Sequence, residues 1–339
     1  MPKSLTTSKI DRQNILNNSY AVEEIEKAID IKSIDWDGQK YLTKNMVANF
    51  YNVDIRTIER YISKYNSELE SNGYRVLKGK QLESFLSAYN NNFATDINVG
   101  SKVRVLSVFD FRAFLNIGMF LVESETAAQV RSIILDIVID TINQRSGGST
   151  KYINQRERDF IGSFVQNENY RQEFTDALRD YVDMGNAKYA IYTNKIYVSF
   201  FKEKAHEYKE ILNLSSKDRI RDTLYSEVLD LISSYEHGLA VMIEEQSITL
   251  GRKLNNWELS DVFESLEMLP VWKPLINQAR KKMASRDMAL REAIHYQLKE
   301  YIEPLDKSEY EKFLGDASEE LEKLLSDNKD VLSRLKESN

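Results

Sequence analysis

Residues 41–64, YLTKNMVANFYNVDIRTIERYISK, decide how the amino-terminal half of the chain is read. Leu42, Met46, Val47 and Phe50 recur at helical spacing, and Thr43 is a residue type whose hydroxyl caps a helix start. Tyr51 and Asn52 interrupt that pattern, and Val53 is apolar enough to pin a turn into a core. Asp54 then offers a second cap ahead of Ile55, Ile58 and Ile62, spaced three and four apart. Two short helices joined by a tight turn follow, a helix-turn-helix. The opposite stripe of the second helix carries Arg56, Thr57, Arg60 and Lys64, and Lys44 joins them from the first helix. These side chains have the reach and chemistry to meet phosphates and guanine edges when a helix lies in a major groove. The pattern predicts a recognition helix over residues 55–64, set against the plainer reading of a helical hairpin with a solvated basic face.

The rest of the composition bounds that reading. At 339 residues the chain fits two or three domains, and 42% hydrophobic with 29% charged residues marks it as globular. No apolar run approaches the roughly 18–20 residues that span a bilayer. The first residues, MPKSLTTSKIDRQ, lack the apolar centre of a secretory signal, and the absence of cysteine excludes disulfides and thiolate metal sites, so the expected compartment is the cytoplasm. A net charge of −7 argues against a protein that coats nucleic acid non-specifically. Yet residues 40–80 hold eight basic side chains against four acidic ones, a local balance of +4, so any DNA contact should be local.

Around the central stretch, Asp37-Gly38 signals a hairpin turn between two short runs that lead into the first helix. After Lys64 the segment has a stop at Gly73, a brief strand over residues 74–77, and a turn at Gly79 before a helix over residues 81–89, an order that suits a wing-like elaboration. Residues 90–100 read as a loop. A β-like run over residues 103–108 then passes into helical periodicity in two parts, the second beginning near Ser124.

Taken together, VDIRTI, the short strand, FDFRAFLNIG and VESETAAQVRSIILDIV resemble the RhuM-type DNA-binding domain and, more loosely, phage antirepressor and BRO-like proteins, over roughly residues 38–145. The family pattern falls here on Gly118, Ser124, Ala127 or Ala128, and Arg131. The long NNNFATDINVGSK loop departs from it, and the RhuM core does not account for the carboxy-terminal half. Within that half, residues 189–240 look similar to a region behind antirepressor-like and DNA damage-inducible protein D-like proteins.

QRSGGST, residues 144–150, is the best linker, since Gly147-Gly148 breaks both helix and strand. The expected fold class is mainly α with a small β component: a helix-turn-helix domain over residues 1–146, an all-α partner or oligomerisation domain over 151–315, and a carboxy-terminal helix over 316–339. Helical periods after the linker cover residues 157–165, 170–181, 195–212, 223–246, 257–266, 274–302 with breaks, and 316–336. In the last of these Leu321, Leu325, Asn328, Leu332 and Leu335 are spaced four, three, four and three, a short coiled-coil seam for a homo-oligomer or for folding back on its own domain.

Catalytic signatures are missing. His206, His237 and His295 are far apart, no serine sits in a Gly-x-Ser-x-Gly elbow, and the glycines make neither a phosphate loop nor a dinucleotide fingerprint, so no cofactor or metal is implied. Arginine beside aspartate in residues 219–223 and 281–295 reads first as ion pairing between packed helices. A metal-dependent nuclease would need Asp218, Asp222, Asp287 or similar carboxylates to converge. Arg280, Lys281, Lys282, Arg286 and Arg291 form a second basic run, either a phosphate contact or a solvated helix face. The function expected from these readings is sequence-specific regulation of double-stranded DNA, antirepressor-like or defence-associated, with a protein partner for the helical half. The alternatives are an antitoxin-like interaction module without DNA reading and the nuclease.

Overall fold

The computed structural model describes residues 4–29, 31–92, 103–157 and 159–315. The expected seam at Leu321, Leu325, Asn328, Leu332 and Leu335 lies outside the described residues, as does most of the loop expected over 90–100. The chain is mainly α with a small antiparallel sheet, and it divides into two compact units, residues 1–144 and 145–339.

The first unit opens with α1 (Lys9–Asn17) and α2 (Ser19–Ala28), capped by Ser8 and Asn18, whose side chains accept from the amides of Asp11 and Ala21. Strands β1 (Ile34–Trp36) and β2 (Gln39–Thr43) form the expected hairpin, with Asp37 at φ 53° and Gly38 at φ 74°. Two left-handed residues in a row match the twist of the flanking strands, which is why Asp-Gly serves there. Then come α3 (Lys44–Phe50), α4 (Ile55–Ser71), β3 (Tyr74–Lys78), α5 (Gly79–Asn92), β4 (Val105–Asp110), α6 (Phe111–Phe120) and α7 (Glu125–Arg145). The sheet order is β1-β2-β4-β3, all antiparallel, with Thr43 opposite Val108 and Tyr74 opposite Phe109. One face is covered by α5, whose Leu82, Phe85 and Tyr89 pack with Ile34, Tyr41, Leu77 and Val108. Removing each of these large side chains from water is worth about 1.5–3 kcal/mol.

Two elements differ from the sequence reading. Leu42 belongs to β2 rather than to the first helix turn, because it is buried and paired opposite Phe109 of β4 in a strand that runs to the capping Thr43. Helix α4 continues past Lys64 to Ser71 across a break at Tyr65 (φ −122°, ψ 27°). Strands β3 and β4 pair across the intervening α5, the helix expected over residues 81–89.

The second unit is helical: α8 (Phe160–Tyr181), α9 (Ala187–Phe201), α10 (Ala205–Ile211), α11 (Ser226–Leu250), α12 (Asn256–Glu267), α13 (Trp272–Arg291) and α14 (Lys307–Leu314). Short 3-10 turns occupy Ile153–Arg156, Ile220–Thr223 and Tyr296–Tyr301. Helices α8 and α11 share the most extensive interface. Their ends are tied by a backbone bridge in which Asp183 donates to the carbonyl of Leu254 and Leu254 to that of Tyr181, both at 2.8 Å. The two helices read at 157–165 and 170–181 are the single α8. The polar run between them stays helical because Asn167 is buried and donates to Ser233 Oγ at 2.9 Å and to the Leu229 carbonyl. Conversely, the helix read over 195–212 is broken at Lys202, which takes a left-handed φ of 56°. The expected linker is held down as well: Arg291 donates to the Thr150 carbonyl at 2.8 Å, and Arg156 to the Arg145 carbonyl at 2.6 Å.

Candidate nucleic-acid interface

The α3–α4 pair is set by its turn. The Thr43 hydroxyl accepts from the Met46 amide at 3.3 Å, and the Asp54 carboxylate accepts from the Arg56 amide at 2.8 Å, so both helix starts are capped by the residues whose chemistry suggests it. Between them Tyr51 is fully buried, stacks on Phe114 at 5.0 Å, and donates its hydroxyl to the Phe114 carbonyl at 3.0 Å. The Tyr51 carbonyl accepts from the Ser124 hydroxyl at 2.6 Å, and the same oxygen of Ser124 accepts from the Ala127 amide at 3.0 Å. Gly118 is required beside the ring: a Cβ there would stand 2.2 Å from the Tyr51 hydroxyl oxygen. Arg131 then donates to the carbonyls of Gly118 and Leu121 at 2.9 and 2.6 Å. Gly118, Ser124, Ala127 and Arg131, far from the turn along the chain, thus form its seat.

On α4 itself Ile58 is 0% exposed, Tyr61 is buried, and Ile55 and Ile62 are half-buried, while Arg56, Arg60 and Lys64 are exposed with Thr57 at the margin. The far end of the helix is anchored by charge. Arg12 grips Glu68 with two hydrogen bonds of 2.8 Å and donates to the Leu5 carbonyl at 2.9 Å, and Asn116 adds a bond to Glu68 at 3.1 Å. Burial pushes the Glu68 carboxyl up, but the Arg12 and Asn116 hydrogen bonds outweigh it and hold the group below the usual carboxylate range.

Of the cations that the sequence points to, Lys44 and Arg60 are ion-paired on the surface. Lys44 meets Glu59 at 2.7 Å, and Arg60 pairs with Glu123, which also accepts from the Tyr61 hydroxyl at 2.7 Å. Glu123 carries no signal in the sequence, because nothing local links it to a helix 63 positions away. Arg60 is still 63% exposed, and exposed pairs of this kind are worth about 0–1 kcal/mol, so both cations are open to exchange partners. The side chains of Arg56 and Lys64 have no hydrogen-bond or ion-pair partner among the described residues; Lys64 lies over the Tyr65 ring at 5.0 Å.

The second basic run is used internally. Arg286 is 1% exposed and faces Glu157, Glu227 and Glu309, and Arg280 donates to the carbonyls of Phe200 and Ser199 at 2.9 and 2.7 Å. Lys281 and Lys282 pair with Glu303 and Glu227. The arginines of the run are thus engaged internally, while Lys281 and Lys282 form ion pairs at the surface.

The arginine-aspartate words behave as buried pairs. Arg291 meets Asp287 at 2.5 Å, and Arg221 meets Glu236 at 2.5 Å. His295 bridges Glu203 and Asp287, each at 2.8 Å, and the hydroxyls of Tyr225 and Tyr208 also reach Asp287. Burial works against the imidazolium, but hydrogen bonds to Asp287 and Glu203 more than compensate and raise its pKa to about 9. With both ring nitrogens donating to carboxylates, His295 keeps no nitrogen for a substrate. Among the described residues no three His, Asp or Glu side chains are arranged to hold a metal ion, so Asp218, Asp222 and Asp287 do not make the cluster a nuclease of that kind needs. Among those residues, too, no helix is long and apolar enough to cross a membrane. No family model, curated protein or solved structure matches the chain.

Proposed function

We propose that the first unit reads double-stranded DNA with α4, as a regulator of the antirepressor-like or defence-associated kind that the sequence resembles. The observation that carries the reading is the division of α4 into two faces. Ile58 and Tyr61 lock one side into the core, and Arg56, Arg60 and Lys64, with Thr57 beside them, stand outward on a helix capped at both its own start and that of α3. A rigid helix with arginines on its free side supplies bidentate donors for guanine and point charges for phosphate. The excess of basic residues over positions 40–80 gives the approach a local attraction despite the overall charge of −7. The surface pairs of Arg60 and Lys44 fit the same reading, since each holds a long side chain in place until a phosphate or base edge replaces the carboxylate.

The test is selection of bound sites from a random DNA pool, followed by titration of the selected duplex and a scrambled one across a range of salt. A selected motif bound more tightly than the scramble is the expected result. Equal affinity for both, or none for either in a folded protein, overturns it and leaves the first unit as a protein-interaction module.

A further inference from the structure

A second concentration of cations lies in the helical unit. A cleft of about 440 Å³ is lined by residues of α8, α9 and α10 and by the segment that enters the 3-10 turn at Ile220. Its wall carries Arg171, Lys209, Lys217, Arg219 and Arg221 against Glu168 and Asp218, five cations to two carboxylates in a chain that is net acidic.

Most of the opposing charge is already engaged. Arg221 forms a buried two-point pair with Glu236 and donates to Asn167 at 2.6 Å, and Arg219 pairs with Glu168. Asp218 accepts from the Ser215 amide at 2.7 Å, and Lys209 donates to the Ser216 carbonyl at 3.2 Å. Arg171 is different. It is half-buried in the wall, yet its guanidinium has no hydrogen-bond or ion-pair partner among the described residues. Burial lowers its pKa, the like charge of Arg221 lowers it further, and Glu236, Tyr197 and Glu168 offset this only in part. An arginine keeps its charge under such pressure, so the cleft presents a guanidinium that Glu236 and Glu168 balance only in part and that no hydrogen bond or ion pair engages among the described residues, its donors open to an anion.

We propose that this cleft binds the phosphoryl group of a small phosphorylated molecule, with Arg171 as the free two-point donor and Lys209 and Lys217 as charges along the wall. Phosphate geometry matches the guanidinium fork, and the volume falls within the range of about 300–1,000 Å³ typical of small-molecule sites, larger than one tetrahedral anion requires. The proposal does not rest on the DNA reading of the first unit, which is a separate compact unit with its own test.

The experiment uses the full chain and two probes, inorganic phosphate and inorganic pyrophosphate, titrated by calorimetry and thermal melting at constant ionic strength. Pyrophosphate should bind saturably and raise the melting temperature of the helical unit, with phosphate weaker. Arg171→Met, which keeps the apolar stem and removes the charge, should weaken pyrophosphate binding by about tenfold or more while leaving the unliganded melt equal or higher. A purely structural arginine would instead lower that melt. Lys209→Gln with Lys217→Gln, on the wall, should weaken binding several-fold, so the question stays answerable even if the Arg171 variant folds poorly. Absence of saturable binding at millimolar pyrophosphate, or equal binding by wild type and both variants, overturns the proposal. So does Arg171-dependent binding of a short single-stranded oligonucleotide when neither inorganic probe binds, since the cleft is then a nucleic-acid contact.

Discussion

Ile58 and Arg60 stand two positions apart on α4 and face opposite ways, so under the proposed DNA reading one helix separates stability from binding. Ile58→Ala should cost roughly 2–5 kcal/mol of stability through the cavity it leaves, read by chemical denaturation. Arg56→Ala and Arg60→Ala should leave the melt nearly unchanged and weaken binding of the selected duplex by about 1–3 kcal/mol for each bidentate base interaction removed. If both changes together leave affinity and sequence preference untouched, α4 is not the reader. Glu123→Gln takes away the charged partner of Arg60 and one negative charge beside it, so DNA affinity should rise. Unchanged or weaker binding by that variant would show that the carboxylate does not compete with DNA for the guanidinium. The capping roles of Thr43 and Asp54 and the burial of Ile58 are legible in the sequence, because helix periodicity and cap chemistry are local. The pairing of Arg60 with Glu123 and the seating of Tyr51 by Ser124 are not, because they join residues brought together only by the packing of α6 and α7.

Helix α4 is also held at its far end, by a charge pair that periodicity does not reveal. Glu68 lies on the core side beside Leu69, and Arg12 comes from α1 with its guanidinium 4.3 Å from the Phe120 ring centre. Replacing Arg12 by Ala leaves a buried carboxylate unpaired and should cost about 3–5 kcal/mol, whereas a matched apolar pair at positions 12 and 68 should cost much less. The Glu68 carboxyl is held below its ordinary value in the folded chain. Its contribution is therefore complete above the ordinary carboxylate range and is lost as the pH falls through the lowered folded value. A denaturation series from neutral to acid pH should show this loss in the wild type and a smaller one in the apolar double variant; parallel curves would show that the pair is not what acid breaks. The difference between local and tertiary partners also explains the helix boundaries. Polar residues 166–169 fall between two helical periods in the sequence, but Asn167 finds buried partners on α11, so tertiary hydrogen bonds carry α8 through them. Lys202 reads as an ordinary helical residue, yet a left-handed turn there separates α9 from α10 and is followed at once by the buried Glu203 that meets His295.

Across the chain as a whole, the two units are built on different kinds of interior, and they should part company as the pH rises. The first unit buries its sheet under aromatic and aliphatic side chains, with Arg12–Glu68 as its deep ion pair. The second gathers His295, Glu203, Asp287, Arg291, Tyr208 and Tyr225 into one network between α10, α11 and the end of α13. His295 in that network is held protonated by its two carboxylate partners and gives up that charge toward alkaline pH. Its pKa is about 9 in the folded chain against an ordinary 6.5, so the folded state binds the proton more tightly than the unfolded one. The resulting stability is fully present below about 6.5 and is lost as the pH climbs through about 9. Scanning calorimetry of the full chain at intervals from about pH 6 to about 10 should then show the transition of the helical unit moving down while that of the first unit holds. His295→Gln keeps a side chain able to donate one hydrogen bond but carries no charge; it should lower the helical transition at about pH 6 to roughly the alkaline wild-type value and remove most of its slope with pH. A wild-type helical transition that stays level over that range, or a His295→Gln slope equal to that of the wild type, would show that the bridge between Glu203 and Asp287 does not hold the unit together through the charge on the imidazole.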